Sequence, residues 1–419
     1  MVSSVFSVLF IVFFAVSLSV RFWLSSRQIR HVLAHRAAVP PQFMEKISLD
    51  AHQKAADYTV AKTKFGLIEL FVGAFVLIGF TLLGGLQAVS LALLEKLGSG
   101  RLEQICLMLA VTVITGLIDL PFDYYRQFSL EERFGFNKMK PALFFADLAK
   151  STLVSAVIGL PLLWVVLTLM EKAGNLWWFY AWLVFSGFSI LMQVLYPTLI
   201  APLFNKFTPL DDAPLKERIG KLMDRVGFTS RGLFVMDGSK RSGHGNAYFS
   251  GFGAAKRVVF FDTLLTRLQP QEIEAILAHE LGHFKLKHIV KRTVLMFALS
   301  LAFLALLGYL KNQTWFYVGL GVEPMLNSSN DAVALILFML ALPVFTFFFS
   351  PVMSIGSRKH EYEADAFAAQ QADARALVSA LVKLYEDNAS TLTPDPLHSA
   401  FYDSHPNAAM RIDRLLVAH

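Results

Sequence analysis

Apolar positions in this chain fall in seven long runs rather than in short alternating stripes. The runs lie near residues 3–24, 66–94, 105–125, 143–170, 176–204, 293–310 and 332–356. A helix needs about 20 apolar residues to cross the hydrocarbon core of a bilayer, so each run predicts one span. The second, fourth and fifth runs exceed a minimal span and predict tilt or projection into water. The first run has no basic residues before it and a Lys/Arg cluster after it, at Arg21, Arg27, Arg30 and Arg36. It therefore reads as an uncleaved anchor rather than a signal peptide. In the seventh run, "PVFTFFFSPV", Pro343 and Pro351 predict kinks, and the phenylalanines are expected to face lipid.

Two water-soluble pieces remain, Asn205 to Arg292 and Ser357 to His419. The first opens on "DDAPLKERIGKLMDRVGF", where Leu215, Ile219, Leu222 and Val226 recur at helical spacing. Three short strands then follow at "GLFVMD", "NAYFSGF" and "KRVVFFD", separated by glycine-rich turns. A helix through "PQEIEAILAHELGHFKLKH" comes next, with Pro270 in its first turn. The expected fold is mainly α, with seven transmembrane helices and an α+β domain that carries a small β-sheet.

Composition agrees with a membrane protein: 55% of the 419 residues are hydrophobic and only 17% are charged. The net charge of +6 suggests nucleic acid less than topology, because the basic residues are segregated. Segments 21–65, 125–140, 206–292 and 357–419 hold 33 Lys and Arg, whereas the alternate segments 95–104, 171–175 and 311–330 hold 4. The positive-inside rule then puts the N-terminus outside and both soluble pieces in the cytosol. Cys106 is the only cysteine, which excludes an intramolecular disulfide.

The candidate chemistry lies in "HELGH", His279 to His283. Residues four apart share one helix face, so His279 and His283 can direct two imidazoles at one ion with Glu280 beside it. Gly282 is expected to leave space near that ion. A hydrolytic zinc site needs three protein ligands and one open position. His288, five residues past His283, falls off the shared face. In "SRKHEYEADAFAAQ", Glu361 and Asp365 are four apart, which suggests Glu361 as the third ligand, Asp365 as its support, and Glu363 turned elsewhere. A solvated acidic helix face is the competing reading of that segment. Two spans separate the two motifs, so both emerge on one side of the membrane. Thr293 is expected about 15 Å beyond His283 on a continuous helix.

With these residues in hand, the chain resembles the type I CAAX prenyl protease family, integral-membrane zinc metalloproteases of the gluzincin group. The resemblance rests on "HELGHFKLKH" and "SRKHEYEADAFA" together with "LPFDYYRQFSLEERFGFNK", "YPTLIAPLFNKF", "GNAYFSGFG" and "SHPNAAMRIDRL". It implies zinc on His279, His283 and Glu361, Glu280 as general base, and Asp365 in support. It further implies that His405 and Arg411 meet the substrate or the developing oxyanion, with Arg411 orienting His405. Asn246, Ala247 and Tyr248 would bind substrate along an edge strand. The family fold implies seven long helices enclosing a water-filled chamber capped by the zinc domain.

On this reading residues 1–204 carry spans one to five, and 205–292 form the first part of the zinc domain with the HExxH helix. Residues 293–356 carry spans six and seven, and 357–419 complete the zinc domain. The expected function is a membrane-embedded zinc endopeptidase, one Zn²⁺ per chain, able to remove the C-terminal tripeptide of prenylated CAAX substrates. A quality-control or peptide-processing protease without a prenyl requirement is the alternative. A transporter is the reading from another class, disfavoured because eight of the eleven histidines follow residue 243; a catalytically silent scaffold is disfavoured because His279, Glu280, His283, Glu361 and His405 are all present. Partners are then a peptide or protein substrate and the lipid bilayer, with no nucleic acid; the oligomeric state is open and a monomer is compatible with the reading. Compact length suggests a bacterial inner membrane; in a eukaryote the resemblance implies the endoplasmic reticulum. The loop "EERFGFNK" is expected to dock beside the zinc domain.

Overall fold

The computed structural model describes residues 1–230, 232–250, 256–326 and 328–417. Among them, seven helices are long and apolar enough to cross a membrane. The chain runs α1 (Val2–Ala34), α2 (Leu49–Phe80), α3 (Gly85–Leu97), α4 (Arg101–Tyr125), α5 (Pro141–Lys172), α6 (Trp177–Leu195) and α7 (Ala201–Phe204). Helix α4 continues through a wider, π-type winding at Arg126–Glu131, and α6 reaches α7 through another at Tyr196–Ile200. Both windings fall inside the quoted motifs, and such windings concentrate near functional sites.

The apolar run 66–94 is not one helix. Helix α2 starts at Leu49, capped by Ser48 Oγ, and stops at Phe80. A turn through Gly84, in the left-handed region with φ 74°, starts α3. At Gly85 a Cβ would lie 2.5 Å from Gly79 O, so the apolar sequence is continuous while the backbone must reverse.

Neighbour packing closes a ring: α1 on α2, α2 on α3, α3 on α4, α4 on α5 and α5 on α6. It continues through α11 (His288–Leu310) and α13 (Asp331–Thr346) back to α1, while α12 (Thr314–Gly319) seals the far end against α1. The ring has buried cores at its two ends. One, with Phe10, Leu107, Leu167, Trp177, Leu307, Phe316 and Leu337, gathers at the far end. The other lies in the soluble domain and includes Ile219, Phe260, Leu277 and Leu381. Between them the spans bury little, 6–11% of their central windows in the first six. A solid bundle would bury a continuous inner stripe, so this pattern is that of a hollow ring.

The seventh span is the exception, with half of its window buried. Its phenylalanines therefore do not all face lipid. Phe347 is buried and stacks on Phe401, and Phe345 packs on Phe13, while Phe349 is exposed. After the turn Phe347–Phe349, α14 (Ser350–Gln371) continues through Gly356 to carry Glu361. Pro351 sits in the first turn of α14, where its missing N–H costs nothing.

In the soluble domain, α8 (Ala213–Val226) is capped by Asp212, and its buried residues are Leu215, Ile219, Leu222 and Val226. Four strands form the sheet: β1 (Phe207–Pro209), β2 (Leu233–Met236), β3 (Ala247–Ser250) and β4 (Arg257–Phe261). The order is β1-β2-β4-β3, with β2 and β4 parallel and the outer pairs antiparallel. The additional strand β1 is three residues long and ends on Pro209, which an edge strand tolerates. Helices α9 (Asp262–Arg267), α10 (Pro270–Lys285), α15 (Ala374–Asp387), α16 (Pro396–Tyr402) and α17 (Ala408–Val417) complete the domain.

Polar and stacking contacts tie the domain to the ring. Arg241 holds Asp147 of α5 at 2.8 and 3.1 Å and donates to Phe204 O. Arg27 of α1 pairs with Asp395, whose carboxylate also caps α16. The loop after α4 docks through Lys138 N to Arg241 O, Gly243 N to Phe136 O, and Phe136 stacked on His244.

Candidate active site and metal centre

Two helices carry the ligand-type residues, and a glycine sets their separation. A Cβ at Gly282 would stand 3.1 Å from Ala364 Cα and 3.2 Å from Ala364 O. Gly282 therefore makes room for the backbone of α14 rather than for an ion. The close approach brings His279, His283 and Glu361 together. His279 Nε2 lies 3.2 Å from His283 Nε2, and Glu361 oxygens lie 3.4 and 3.3 Å from the two nitrogens.

These separations test whether a cation fits. Four ligands about 2.1 Å from a tetrahedral centre stand about 3.4 Å apart, and the three donor pairs match that spacing. Glu361 Oε2 is buried and has no hydrogen-bond partner, as an atom meant for a metal would be. Burial disfavours charge on His279, but Asp365 and Glu361 outweigh it and raise the ring's pKa to about 9. The same negative potential attracts a divalent ion.

Support comes from behind. Asp365 Oδ1 lies 2.8 Å from His279 Nδ1. Arg411 of α17 grips the same carboxylate, Nε to Oδ2 at 2.8 Å and an η-nitrogen to Oδ1 at 2.6 Å. The guanidinium's short hydrogen bonds therefore go to Asp365, one η-nitrogen also stands 3.4 Å from His279 Nδ1, and none reaches His405. Glu280 lies next to His279 on α10; burial pushes its pKa up, and the imidazoles of His279 and His283 pull it back.

His405 stands in the loop between α16 and α17, with Nε2 3.4 Å from Glu361 Oε1 and Nδ1 2.9 Å from Ser404 Oγ. Its side chain is 61% accessible because it faces a cavity of about 640 Å³. The cavity walls still strip water from the ring and lower its pKa, with Arg411, His279 and His283 adding to the effect and Glu361 opposing it. This shift favours the neutral ring. Asn246, Tyr385 and Arg411 line the same cavity.

Asn246 immediately precedes β3, the last strand of the sheet, and accepts from Phe261 N through its carbonyl. Ala247 packs into the domain core and Tyr248 against Phe261, so neither side chain lines the cavity. The Gly251–Gly253 part of "GNAYFSGFG" lies outside the described residues.

A family model described as "CAAX prenyl protease N-terminal, five membrane helices" matches residues 28–206, and one described as "Peptidase family M48" matches residues 209–418. The chain belongs to peptidase family M48. It is 35% identical over 399 residues to CAAX prenyl protease 1 of Saccharomyces cerevisiae, covering 90% of this chain and 88% of that protein. A CAAX prenyl protease 1 homolog of Arabidopsis thaliana is 36% identical over 386 residues, 89% of each chain. The crystal structure of S. mikatae Ste24p matches with a TM-score of 0.90 at 31% identity, over 98% of this chain and 99% of that one. This M48 peptidase is therefore a multi-pass membrane metalloendopeptidase that acts on peptide or protein substrates.

Three neighbours of the M48 site escape sequence reasoning. Ser404 opens the quoted "SHPNAAMRIDRL" motif, but nothing in its spacing marks it as the partner of the His405 ring. His288 and Glu363 contact each other at 2.9 Å, and His288 reaches His283, contrary to the expectation that both turn away. The reason is a helix break: Lys287 takes the left-handed conformation, φ 57°, between α10 and α11. The continuous helix expected from His283 to Thr293 does not exist.

Proposed function

We propose that this M48 peptidase is a zinc enzyme that removes the C-terminal tripeptide from prenylated CAAX substrates, with His279, His283 and Glu361 as the zinc ligands. The observation that carries it is the convergence of two imidazole nitrogens and one buried carboxylate at tetrahedral-edge spacing. When bound there, zinc supplies Lewis acidity to the scissile carbonyl and lowers the pKa of water. Glu280, whose burial keeps it a stronger base than an exposed carboxylate, takes the proton from the attacking water and returns it to the leaving amine. His405 donates Nε2–H to the oxyanion; Ser404 O–H donates to Nδ1 and so keeps the proton on Nε2. Arg411 and Asp365 hold His279 in place.

Substrate enters as an extended strand beside β3, starting at Asn246, Ala247 and Tyr248. Among the described residues nothing pairs with the outer edge of β3. Main-chain pairing reads few side chains, which also supports a broader peptide-processing role with access to the ring as the filter. The division into 1–204, 205–292, 293–356 and 357–419 separates ring from catalytic domain by function, although helices α11 and α14 run across two of its boundaries. The basic residues support a cytosolic catalytic domain and an outside N-terminus. The membrane is the inner one in a bacterium and the endoplasmic reticulum in a eukaryote.

The test is cleavage by purified protein of one CAAX peptide with and without a farnesyl group, before and after chelation, together with metal analysis. One zinc per chain and chelator-sensitive release of the tripeptide from the farnesylated peptide are expected. Equal cleavage of both peptides moves the assignment to the broader role; activity indifferent to chelation refutes it.

A further inference from the structure

The two histidines of the ligand set are supported differently. His279 hands its Nδ1 to Asp365 directly, at 2.8 Å. His283 instead places its Nδ1 3.0 Å from Nδ1 of His288, and His288 Nε2 lies 2.9 Å from Glu363 Oε2. We propose that His288 and Glu363 are positioning residues, a two-step relay that fixes the tautomer and ring plane of His283. This inference rests on the reading of His283 as a metal ligand.

Proton accounting selects one arrangement. A carboxylate only accepts, so His288 must carry its proton on Nε2 and donate it to Glu363. Its Nδ1 is then a bare acceptor, and His283 must donate to it from Nδ1–H. That leaves the lone pair of His283 Nε2 free, on the side facing His279 and Glu361. The reverse arrangement puts a bare nitrogen against the Glu363 carboxylate and a proton where the cation belongs. Metal-ligating histidines ordinarily gain both orientation and basicity from such a partner.

A break in the local fold makes this contact. On an unbroken helix, a residue five positions on is rotated about 140° from His283's face. The left-handed Lys287 ends α10 and restarts the chain as α11, which returns the His288 ring to His283. His288 is 4% exposed, and His360 stacks on it at 4.1 Å with an interplanar angle of 13°. His288, His360 and Glu363 also bring their donor atoms within 4.8 Å, which raises a second cation site as the competing reading. Near-parallel rings present faces rather than lone pairs to one another, both His288 nitrogens are engaged, and Lys359 stands 3.9 Å from Glu363. These observations favour the relay.

The experiment is zinc competition with a chromophoric chelator on the full chain in detergent, with the visible spectrum of the cobalt-substituted protein as a second readout. Glu363→Gln and His288→Asn, which retains an acceptor, should bind zinc roughly tenfold more weakly. His288→Phe, which strands the His283 Nδ1–H, should bind about 100-fold more weakly and shift the cobalt bands. His360→Ala should keep one zinc at wild-type affinity, and melting of the zinc-free proteins should show that each variant folds. Wild-type affinity and cobalt spectrum in both His288→Phe and Glu363→Gln, with metal lost in His279→Ala, overturn the relay alone. Unchanged binding in His279→Ala overturns the ligand assignment as well. Two zinc ions in the wild type, one of them lost in His360→Ala, assign the trio to a second site instead.

Discussion

Asp365 meets His279 at 2.8 Å while Arg411, 6% exposed, grips that same carboxylate through two hydrogen bonds. The carboxylate is thus shared between an imidazole of the proposed ligand set and a buried cation. Asp365→Asn keeps an acceptor for His279 but leaves the guanidinium without its counter-charge. Zinc affinity should fall about tenfold in Asp365→Asn and up to about 100-fold in Asp365→Ala. Chelator competition measures it; an Asp365→Ala protein that holds zinc as tightly as wild type would show the contact to be structural only.

Glu280 is close enough to the ligand set to feel both imidazoles, yet it makes no contact that builds the cluster. Glu280→Gln is therefore expected to keep one zinc per chain and the wild-type melting temperature. Its kcat should drop about 10³-fold, the scale of a lost general base. Peptidase activity within a fewfold of wild type, with zinc bound, would sink the assignment.

His405 needs its proton on Nε2 to serve an oxyanion, and the Ser404 hydroxyl, 2.9 Å from Nδ1, would keep it there by donating to Nδ1. Ser404→Ala should lower kcat about tenfold and leave KM and zinc content alone. His405→Ala should cost about 10²- to 10³-fold in kcat, again with zinc retained. If His405→Ala loses zinc in proportion to activity, His405 belongs to the ligand set rather than to the oxyanion.

The spans were legible in the sequence because a bilayer demands runs of a length no soluble core requires. Their ends were less so. Helix α2 begins 17 residues before its apolar run, since Ser48 to Phe65 is half polar where it lies against the catalytic domain rather than lipid. That Glu361 would be brought to the two histidines was legible because Glu361 and Asp365 keep helical spacing and two spans return the chain to the same side. His288 and Glu363 were hidden by the assumption that α10 runs on; a left-handed lysine has no periodicity to betray it. The role of Gly282 was misread for a similar reason, because a glycine's use depends on which neighbour approaches it.

Gly282 offers a direct test of how the cluster is assembled. Its neighbour on α14 is backbone, which cannot rotate out of the way as a side chain could. Gly282→Leu should push α10 and α14 apart, lowering stability by about 1–3 kcal/mol, as overpacking does, and weakening zinc binding together with it. Gly282→Ala should do the same more mildly. Thermal melts and zinc competition on the two variants should rank alike; a Leu variant with wild-type zinc affinity would mean that the helix separation does not set the donor spacing.

Glu272 begins the same helix and carries a pH dependence of its own. Its buried carboxylate accepts from Gln269 N at 2.7 Å, Ser379 Oγ at 2.6 Å and Lys383 Nζ at 2.8 Å, joining α10 to α15. Burial alone would raise its pKa, but the hydrogen bonds to Lys383, Ser379 and Gln269 outweigh it and hold the group below its ordinary 4.5. A carboxylate whose folded pKa is depressed stabilises the fold fully above its unfolded pKa, and this contribution is lost as pH falls through the folded value. In detergent melts the wild type should therefore lose stability on acidification below pH 4.5. Glu272→Gln should start about 3 kcal/mol less stable at pH 7, because Lys383 loses its partner, and should fall less steeply in that acid window. Parallel acid slopes in the two proteins would place the titrating groups elsewhere and reduce Glu272 to a neutral helix cap.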